Sequence, residues 1–256
     1  MTECLVLSRI SHHFDGVCAL NNIDLTVSQG ERIALLGPSG AGKSTLLAIL
    51  DRQLPLNKGT ARILDKSLAK GDAFTRIDRA NVGFIFQEFA LLDRLSVYQN
   101  VMNGRLGRTR RWPSLWGQFD TRDHLVVASV LSDVGLSEFA NRRADQLSGG
   151  QRQRVAIARC LAQEPKLILA DEPVSNLDPT RAANLLALIT ARTHSDGTSV
   201  IFSSHQPDLA RQFSDRVIGL RNGEILFDQP SSTVSQTDIA QLYDGAHIEL
   251  DLRVVN

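Results

Sequence analysis

Residues 37–45, with the sequence GPSGAGKST, restrict the fold of this chain more than any other segment. An apolar run, Arg32 to Leu36, comes directly before them, and a helical pattern, Lys43 to Asp51, begins within them. A glycine-rich turn between a strand and a helix directs backbone N–H groups and the positive end of the helix dipole at a bound anion. The segment therefore predicts a phosphate-binding loop at the edge of a sheet.

Each residue type in this loop has its own expected role. The glycines let the backbone amides turn inward on phosphate oxygens, and Lys43 reaches the β and γ phosphates of a nucleotide. The hydroxyl of Ser44 is expected to bind Mg²⁺. The alternative, a glycine turn without a ligand, is disfavoured by the strand before it and the helix after it. The predicted nucleotide-binding residues here are Gly37, Pro38, Ser39, Gly40, Ala41, Gly42, Lys43, Ser44 and Thr45.

Composition narrows the classes of protein that remain. The 256 residues are 43% hydrophobic and 22% charged, which is typical of a globular domain. Because 28 basic residues balance 28 acidic ones, no overall field attracts nucleic acid or an anionic membrane. The three cysteines lack metal-ligand spacing, which favours reduced thiols in the cytosol. No stretch approaches the ~20 apolar residues that span a bilayer, and the start lacks the pattern of a secretion signal.

Short apolar runs alternate with helical patterns along most of the chain. The runs predict buried strands at Ile23 to Val27, Arg32 to Leu36, Val82 to Phe86, Leu167 to Ala170, Ser199 to Ser203 and Arg216 to Leu220. The helical patterns are Lys43 to Asp51, Gln151 to Gln163 and Pro179 to Thr193. This alternation predicts an α/β fold with a mixed or parallel core sheet, and strands linked in pairs by turns near both ends.

The middle of the chain follows a different pattern. From Glu88 to Pro165 strand signals are absent, and helical patterns appear at Ser96 to Asn103 and Thr121 to Val134. We therefore expect one domain in which residues 1–87 and 166–245 form a catalytic core and residues 88–165 an inserted helical subdomain. The alternating tail, residues 246–256, favours an extra edge strand.

The apolar strand Leu167 to Ala170 is followed by two carboxylates. Asp171 is expected to bind the metal ion, either directly or through another of its ligands, as the acidic residue at the end of such a strand does in phosphoryl-transfer sites. Glu172 is expected on the other side of the strand pleat, where it can polarise an attacking water. An ordinary charged strand end is the alternative, and the phosphate-binding loop disfavours it.

A second helix start carries the sequence Ser148-Gly149-Gly150-Gln151, preceded by Leu147. Its glycines and serine lie at the N-terminus of a helical stretch, which makes a second anion site. A simple helix cap by Ser148 is the alternative interpretation. The chain has one phosphate-binding loop and a second anion site, so this segment is predicted to cap a nucleotide held by another copy of the chain.

In this order the motifs resemble those of ATPase subunits of ABC transporters over nearly the whole sequence. The resemblance implies a P-loop ATPase domain with an antiparallel β subdomain near its N-terminus, and a head-to-tail dimer that binds two ATP molecules with Mg²⁺. It implies that Gln87 contacts Mg²⁺ and the lytic water, and that His205 holds the γ-phosphate. The segment from Ser175 to Asp178 matches the loop that crosses the dimer interface, with Asn176 in place of the commoner alanine. Phe14 stands where many members have a tyrosine that stacks on adenine.

The same resemblance implies membrane partners. The residues after Gln87 match a region that meets the coupling helix of a transmembrane permease subunit, and exposed Phe89, Leu91 and Leu95 suit such a groove. Packing of these side chains inside the helical subdomain is the alternative. The chain is then expected at the cytoplasmic face of the plasma (inner) membrane, as a peripheral subunit held by its partners.

The stretches 96–101 and 104–119 resemble the ATPase subunit of phosphonate importers. This implies an ATP-driven translocase that takes up phosphonates or related phosphorus oxyanions with permeases and a periplasmic or extracellular substrate-binding protein. Another importer or a lipoprotein-releasing exporter is the nearest alternative. Soluble relatives in translation or DNA repair are disfavoured, because the chain has one cassette and no heptads. We interpret Arg108 to Trp112 as a solvated loop rather than a nucleic-acid contact, and contact with lipid headgroups stays a third option.

Overall fold

The computed structural model describes residues 2–69, 74–109, 119–175 and 177–244. The strands are β1 (Glu3–Phe14), β2 (Val17–Ser28), β3 (Arg32–Leu36), β4 (Lys58–Ile63), β5 (Lys66–Ser67), β6 (Val82–Ile85), β7 (Leu167–Ala170), β8 (Ser199–Ser204), β9 (Arg216–Arg221) and β10 (Glu224–Pro230). The α-helices are α1 (Lys43–Leu50), α2 (Arg76–Ala80), α3 (Val97–Met102), α4 (Thr121–Asp133), α5 (Gly149–Ala162), α6 (Pro179–Asp196), α7 (Pro207–Phe213) and α8 (Gln236–Tyr243).

The larger sheet has the strand order β10-β9-β3-β8-β7-β6. Strands β9, β3, β8, β7 and β6 run parallel, and β10 closes the edge antiparallel to β9. The carboxyl ends of parallel strands meet at one edge of a sheet, where ligands of open α/β folds bind. The segments that follow β3, β6, β7 and β8 therefore lie at the same edge, and they contain the phosphate-binding loop, Gln87, the two carboxylates and His205.

The two faces of this sheet pack against different partners. Along β3, Ile33 and Leu35 belong to an apolar cluster that includes α1 and the smaller sheet, of order β2-β1-β4-β5. Ala34 and Leu36 belong to a second cluster formed with the helices. This alternation follows from the period of two along a strand, and because both faces are covered the four residues after Arg32 are all apolar.

The helices α3, α4 and α5 lie between β6 and β7 along the chain, and α5 packs against α3 and α4. Arg105 lies in a short 3₁₀ turn, Asn103–Gly107, and only 2% of its surface is exposed. Its Nε donates to Asp123 Oδ1 at 2.7 Å, and its Nη1 donates to the carbonyl of Ala162 and to Glu164 Oε2, each at 2.7 Å. One guanidinium therefore joins the start of α4 to the end of α5.

Most of the predicted architecture is confirmed. Each of the six predicted apolar runs lies in a strand, apart from Phe86 just after β6, and the α/β fold carries an antiparallel sheet near the N-terminus and an inserted helical part. The helix predicted from Ser96 to Asn103 is shorter, because the chain continues as the 3₁₀ turn. At Gly104 a Cβ atom would lie 2.2 Å from the carbonyl oxygen of Arg159, so this approach requires glycine. The division at residues 88 and 165 stays a prediction, and residues 110–118 and the tail from 246 onward lie outside the described residues.

Within the described ranges, no helix has the length and apolar character needed to cross a membrane.

Candidate nucleotide site

The phosphate-binding loop leaves β3 and enters α1 with backbone angles that favour glycine. Gly37, Gly40 and Gly42 have φ values of 156°, 77° and 103°. A Cβ atom at Gly37 would lie 2.1 Å from the carbonyl oxygen of Leu220, and one at Gly42 would lie 2.6 Å from that of Ala19. The loop therefore depends on glycine both for its backbone conformation and for its close packing against β9 and β2.

The loop residues differ in exposure along its length. Ser39, Gly40 and Ser44 are exposed at the crest, and Pro38 and Thr45 are half-buried. Ala41 is buried, and only 4% of Lys43 is exposed. The Lys43 ammonium donates to the carbonyls of Gly37 at 2.7 Å and Pro38 at 2.9 Å. Burial lowers its pKa, and the carboxylates of Glu172 and Asp171 act in the opposite direction.

The first carboxylate after β7 lies beside the loop. Ser44 Oγ donates to Asp171 Oδ1 at 3.1 Å, and Ser203 Oγ donates to the same oxygen at 2.8 Å. A hydroxyl and a carboxylate are oxygen ligands of the kind that Mg²⁺ prefers. The described residues contain no group of three or more His, Cys, Asp and Glu side chains arranged to hold a metal ion. Mg²⁺ is usually bound by one or two carboxylates together with substrate phosphates and water, and Asp171 can supply one such carboxylate.

The second carboxylate forms the centre of a polar group. The Nε2–H of His205 donates to Glu172 Oε1, and Gln87 Nε2 lies 3.5 Å from Glu172 Oε2. The backbone N–H of Glu172 donates to Ser203 Oγ at 2.7 Å. The hydrogen bond from His205 lowers the pKa of Glu172, against the effect of burial, so this carboxylate is ionised at neutral pH.

The expected direction of Glu172 from the strand pleat is wrong. Strand β7 ends at Ala170, two residues earlier, and Glu172 has a left-handed φ of 44°. Its side chain is therefore directed by a tight turn that Ser203 holds, not by alternation along the strand. Left-handed backbone in a residue other than glycine is strained and occurs often at functional sites.

A small cavity lies next to this group. Its volume is about 50 Å³, and its lining includes Glu172, Ser203, Ser204, His205 and Gln206. A polar cavity of this size has room for a water molecule, which needs two to four polar partners. The carboxylate, the imidazole and the serine hydroxyls can supply them.

Phe14 ends β1 near the loop, and its side chain is 43% exposed. The ring of His12 meets it edge-on, with 4.6 Å between ring centroids. Its strand partner, Val17, begins β2, the strand that packs against Gly42 through Ala19 and Leu20. A half-exposed aromatic ring is therefore present at this end of the small sheet, where stacking on a base stays a prediction.

The second predicted anion site is built on α5. The N–H of Gln151 donates to Ser148 Oγ at 3.4 Å, and the N–H of Ser148 donates to Gln151 Oε1 at 2.9 Å, which is a capping box. Cβ atoms at Gly149 and Gly150 would meet nothing within 4 Å, so this helix start is open. Ser148 thus caps its helix, and binding of an anion there stays a prediction.

The segment predicted to cross a dimer interface is partly described. Asp178 caps α6, because the N–H of Arg181 donates to its Oδ1 at 3.0 Å. Asn176 lies outside the described residues. A role for Asp178 at the nucleotide stays a prediction.

The apolar residues after Gln87 are less exposed than expected. Phe89, Leu91 and Leu95 are half-buried, and Leu91 packs against the core cluster, so full exposure is wrong for all three. Leu92, which lies beside Leu91, is 55% exposed. The alternative, packing of these side chains inside the helical subdomain, therefore holds in part for Leu91.

Three further residues belong to this region although no sequence motif indicated their roles. Ser203 contacts Asp171 and the backbone of Glu172 from the neighbouring strand. Arg159 on α5 donates to the carbonyls of Ala90 and of Phe89, the latter at 3.0 Å. The hydroxyl of Tyr243 lies 3.4 Å from the carbonyl oxygen of His205. Ser203 lies in a serine pair directly before His205, which the sequence shows. The contacts of Arg159 and Tyr243 depend on packing instead.

The glycine loop holds a buried lysine, and a serine and an aspartate lie beside it. A glutamate and a histidine lie at the same sheet edge. Together these features define a nucleotide-binding protein of the P-loop class. The sequence model of the ABC transporter family matches residues 20–175. The chain belongs to this family.

Similar proteins include the phosphonates import ATP-binding protein PhnC 1 of Rhodopseudomonas palustris (strain HaA2), which is 42% identical over 88% of this chain and 81% of the relative. A protein of the same name from Nostoc sp. (strain PCC 7120) is 39% identical over 98% and 96%. The structure of the ATP-binding cassette MJ0796, a dimer in a post-hydrolysis state bound to ADP and Pi, is also similar. It has a TM-score of 0.78 and 32% identity, and covers 89% of this chain and 98% of its own.

Proposed function

We propose that this chain is the ATP-hydrolysing subunit of a transporter that imports phosphonates or related phosphorus oxyanions. ATP hydrolysis is supported above all by the contact of His205 with Glu172, with Gln87 beside them. This group lies at the sheet edge that also holds the phosphate-binding loop. The relatives named as phosphonates import proteins support the cargo.

The loop binds the nucleotide phosphates through its backbone amides and Lys43. Ser44, Asp171 and Gln87 would hold Mg²⁺, since the first two already present their oxygens side by side. When bound, the metal ion neutralises charge on the β and γ phosphates. Phe14 stacks on the base.

Glu172 acts as the general base. Its ionised carboxylate accepts a proton from the water that attacks the γ-phosphorus, and Gln87 orients that water. The bond to the leaving phosphate oxygen then breaks, and ADP and phosphate are released. His205 positions the carboxylate through its Nε2–H and also contacts the γ-phosphate. One side chain thus contacts both the general base and the substrate.

Two copies of the chain form a head-to-tail dimer with shared sites. The start of α5, with Ser148, Gly149, Gly150 and Gln151, lies in the helical part of the chain and is open to a partner. The cassette MJ0796 is dimeric in a second solved structure as well, to which this chain is 31% identical. In this arrangement the start of α5 and Asp178 meet the nucleotide of the other copy.

Mixing two inactive variants tests this shared site. We expect Lys43→Ala and Ser148→Arg each to lose most of the ATPase activity, because every dimer then lacks one half of both sites. Mixing them in equal amounts should restore about a quarter of the wild-type rate, since half of the dimers are mixed and each of those has one complete site of two.

The control for this experiment is the fold of each variant. Ser148→Arg removes a helix cap, which costs about 1 kcal/mol, so both variants are checked by circular dichroism and thermal unfolding. A mixture as inactive as its two components, with both variants folded, would contradict a site built from two chains.

The membrane partners are permease subunits that hold the chain at the cytoplasmic face of the plasma (inner) membrane, with a substrate-binding protein on the other side. A groove of about 360 Å³ supports a docking site for a permease helix, and its lining includes Phe84, Phe86, Ala90 and Gly104. Leu92, exposed in the loop that follows β6, adds apolar surface nearby.

Growth on different phosphorus sources tests the cargo. Cells that lack this gene and any substitute ATPase should fail to grow on a phosphonate as sole phosphorus source and should grow normally on phosphate, with phosphite as a third condition. Wild-type protein supplied from a plasmid should restore growth, and a Glu172→Gln protein should not. Normal growth of the deletion strain on phosphonates would refute the cargo and leave the ATPase assignment standing.

A further inference from the structure

The last described helix reaches the nucleotide site. Tyr243, at the end of α8, is half-buried, and its hydroxyl donates to the backbone carbonyl of His205 at 3.4 Å. The backbone of Gly37, the first residue of the phosphate-binding loop, lowers the pKa of this hydroxyl against the effect of burial. A side chain distant in sequence thus contacts the segment that follows β8 and carries His205.

Helix α8 is fixed at both ends, so the hydroxyl is held in place. At its start, Ser235 and Asp238 form a capping box, with 3.1 Å from the Asp238 N–H to Ser235 Oγ. At its end, Leu242 is fully buried, and Arg221 Nη1 donates to the carbonyl of Gln241 at 2.7 Å. The position of the phenol therefore follows from packing of α8 against β9.

The hydroxyl of Tyr243 can act as a hydrogen-bond donor at physiological pH. Burial raises the pKa of Tyr243 to about 12, and the contact with Gly37 opposes this shift. The hydroxyl thus stays protonated at physiological pH and can donate to the carbonyl of His205. A phenylalanine has the same ring but cannot donate this hydrogen bond.

We propose that Tyr243 is a positioning residue for hydrolysis, whose hydroxyl holds the backbone of His205 in place through a hydrogen bond to its carbonyl. The inference rests on the proposed function, because the imidazole of His205 contacts the general base Glu172. Loss of this hydrogen bond lets the backbone of His205 shift, and the imidazole then moves away from the carboxylate. Binding of ATP depends on the loop itself and is less affected.

Tyrosine variants of the full chain test this inference. Tyr243→Phe should lower kcat about 5- to 10-fold, the effect of one hydrogen bond, with KM for ATP changed less than about twofold. The control is Tyr98→Phe, which removes the hydroxyl of the only other tyrosine, also bonded to a histidine, His124, but in the helical part. We expect its kcat to match the wild type.

A double-mutant cycle separates positioning from a general structural role. In the background of His205→Ala, the change of Tyr243 to phenylalanine should have no further effect on kcat, because the residue acts through His205. If the two losses instead multiply, or if folded Tyr243→Phe retains the wild-type kcat, the inference is overturned. A wild-type chain without ATPase activity would overturn the proposed function instead.

A spectroscopic measurement covers the case in which Tyr243→Phe does not fold. The wild-type chain labelled with 3-fluorotyrosine gives two fluorine resonances, which Tyr98→Phe assigns because it retains only Tyr243. Addition of Mg²⁺ and ATP should shift the Tyr243 resonance and leave that of Tyr98 in place. An unchanged Tyr243 resonance at saturating nucleotide would overturn the inference.

Discussion

Replacement of Glu172 by glutamine is expected to lower ATP turnover by about 10²-fold or more, because a positioned general base contributes about that much. Glutamine has the same shape but cannot accept a proton. Binding of ATP should persist, since the phosphate-binding loop and Asp171 are unchanged. The measurement is steady-state ATPase activity of the chain assembled with its membrane partners, together with nucleotide affinity by titration calorimetry.

Glu138→Gln is the matched control, because Glu138 is exposed in a short turn of the helical part. It makes the same chemical change away from the sheet edge and should keep the wild-type rate. A Glu172→Gln protein that hydrolyses ATP as fast as this control would show that another group removes the proton.

Replacement of Arg105 by alanine should lower the free energy of unfolding by about 3–5 kcal/mol, the usual cost of leaving one partner of a buried ion pair alone. The Asp123 side chain is only 6% exposed and would lose its cation. The carbonyl of Ala162 would lose its hydrogen bond as well. Urea denaturation followed by circular dichroism measures the change.

Arg122→Ala provides the comparison for this experiment. Arg122 pairs with Glu164 at 3.4 Å, but its side chain is 76% exposed, and such pairs contribute at most about 1 kcal/mol. The difference between the two variants therefore isolates the effect of burial. Equal losses for both would mean that Arg105 is not held as the hydrogen bonds indicate.

Several parts of the site could be predicted because they are local in sequence. The glycine loop needs only a preceding strand and a following helix, and both patterns are short and regular. Placement of Gln87 and His205 near Asp171 follows from a single rule, since each comes after a strand of one parallel sheet. The fold class follows from the same alternation of runs.

Other parts depend on contacts between distant residues. The left-handed turn at Glu172 arises from Ser203, which lies 31 positions later and has no motif of its own. The half-buried state of Leu91 depends on how the helices pack, which hydrophobic periodicity does not determine. Tyr243 reaches the backbone of His205 across 38 positions, and only the folded α8 brings them together.

Two of the three arginines of α5 contact the loop that follows β6. Near the start of the helix Arg152 pairs with Asp93 at 2.6 Å, and about two turns later Arg159 donates to the carbonyls of Phe89 and Ala90. The loop after β6 is thus attached to helix α5, which is about 20 Å long. Ser148 caps the same helix, so the loop after β6 and the second predicted anion site are attached to one element and are expected to move together.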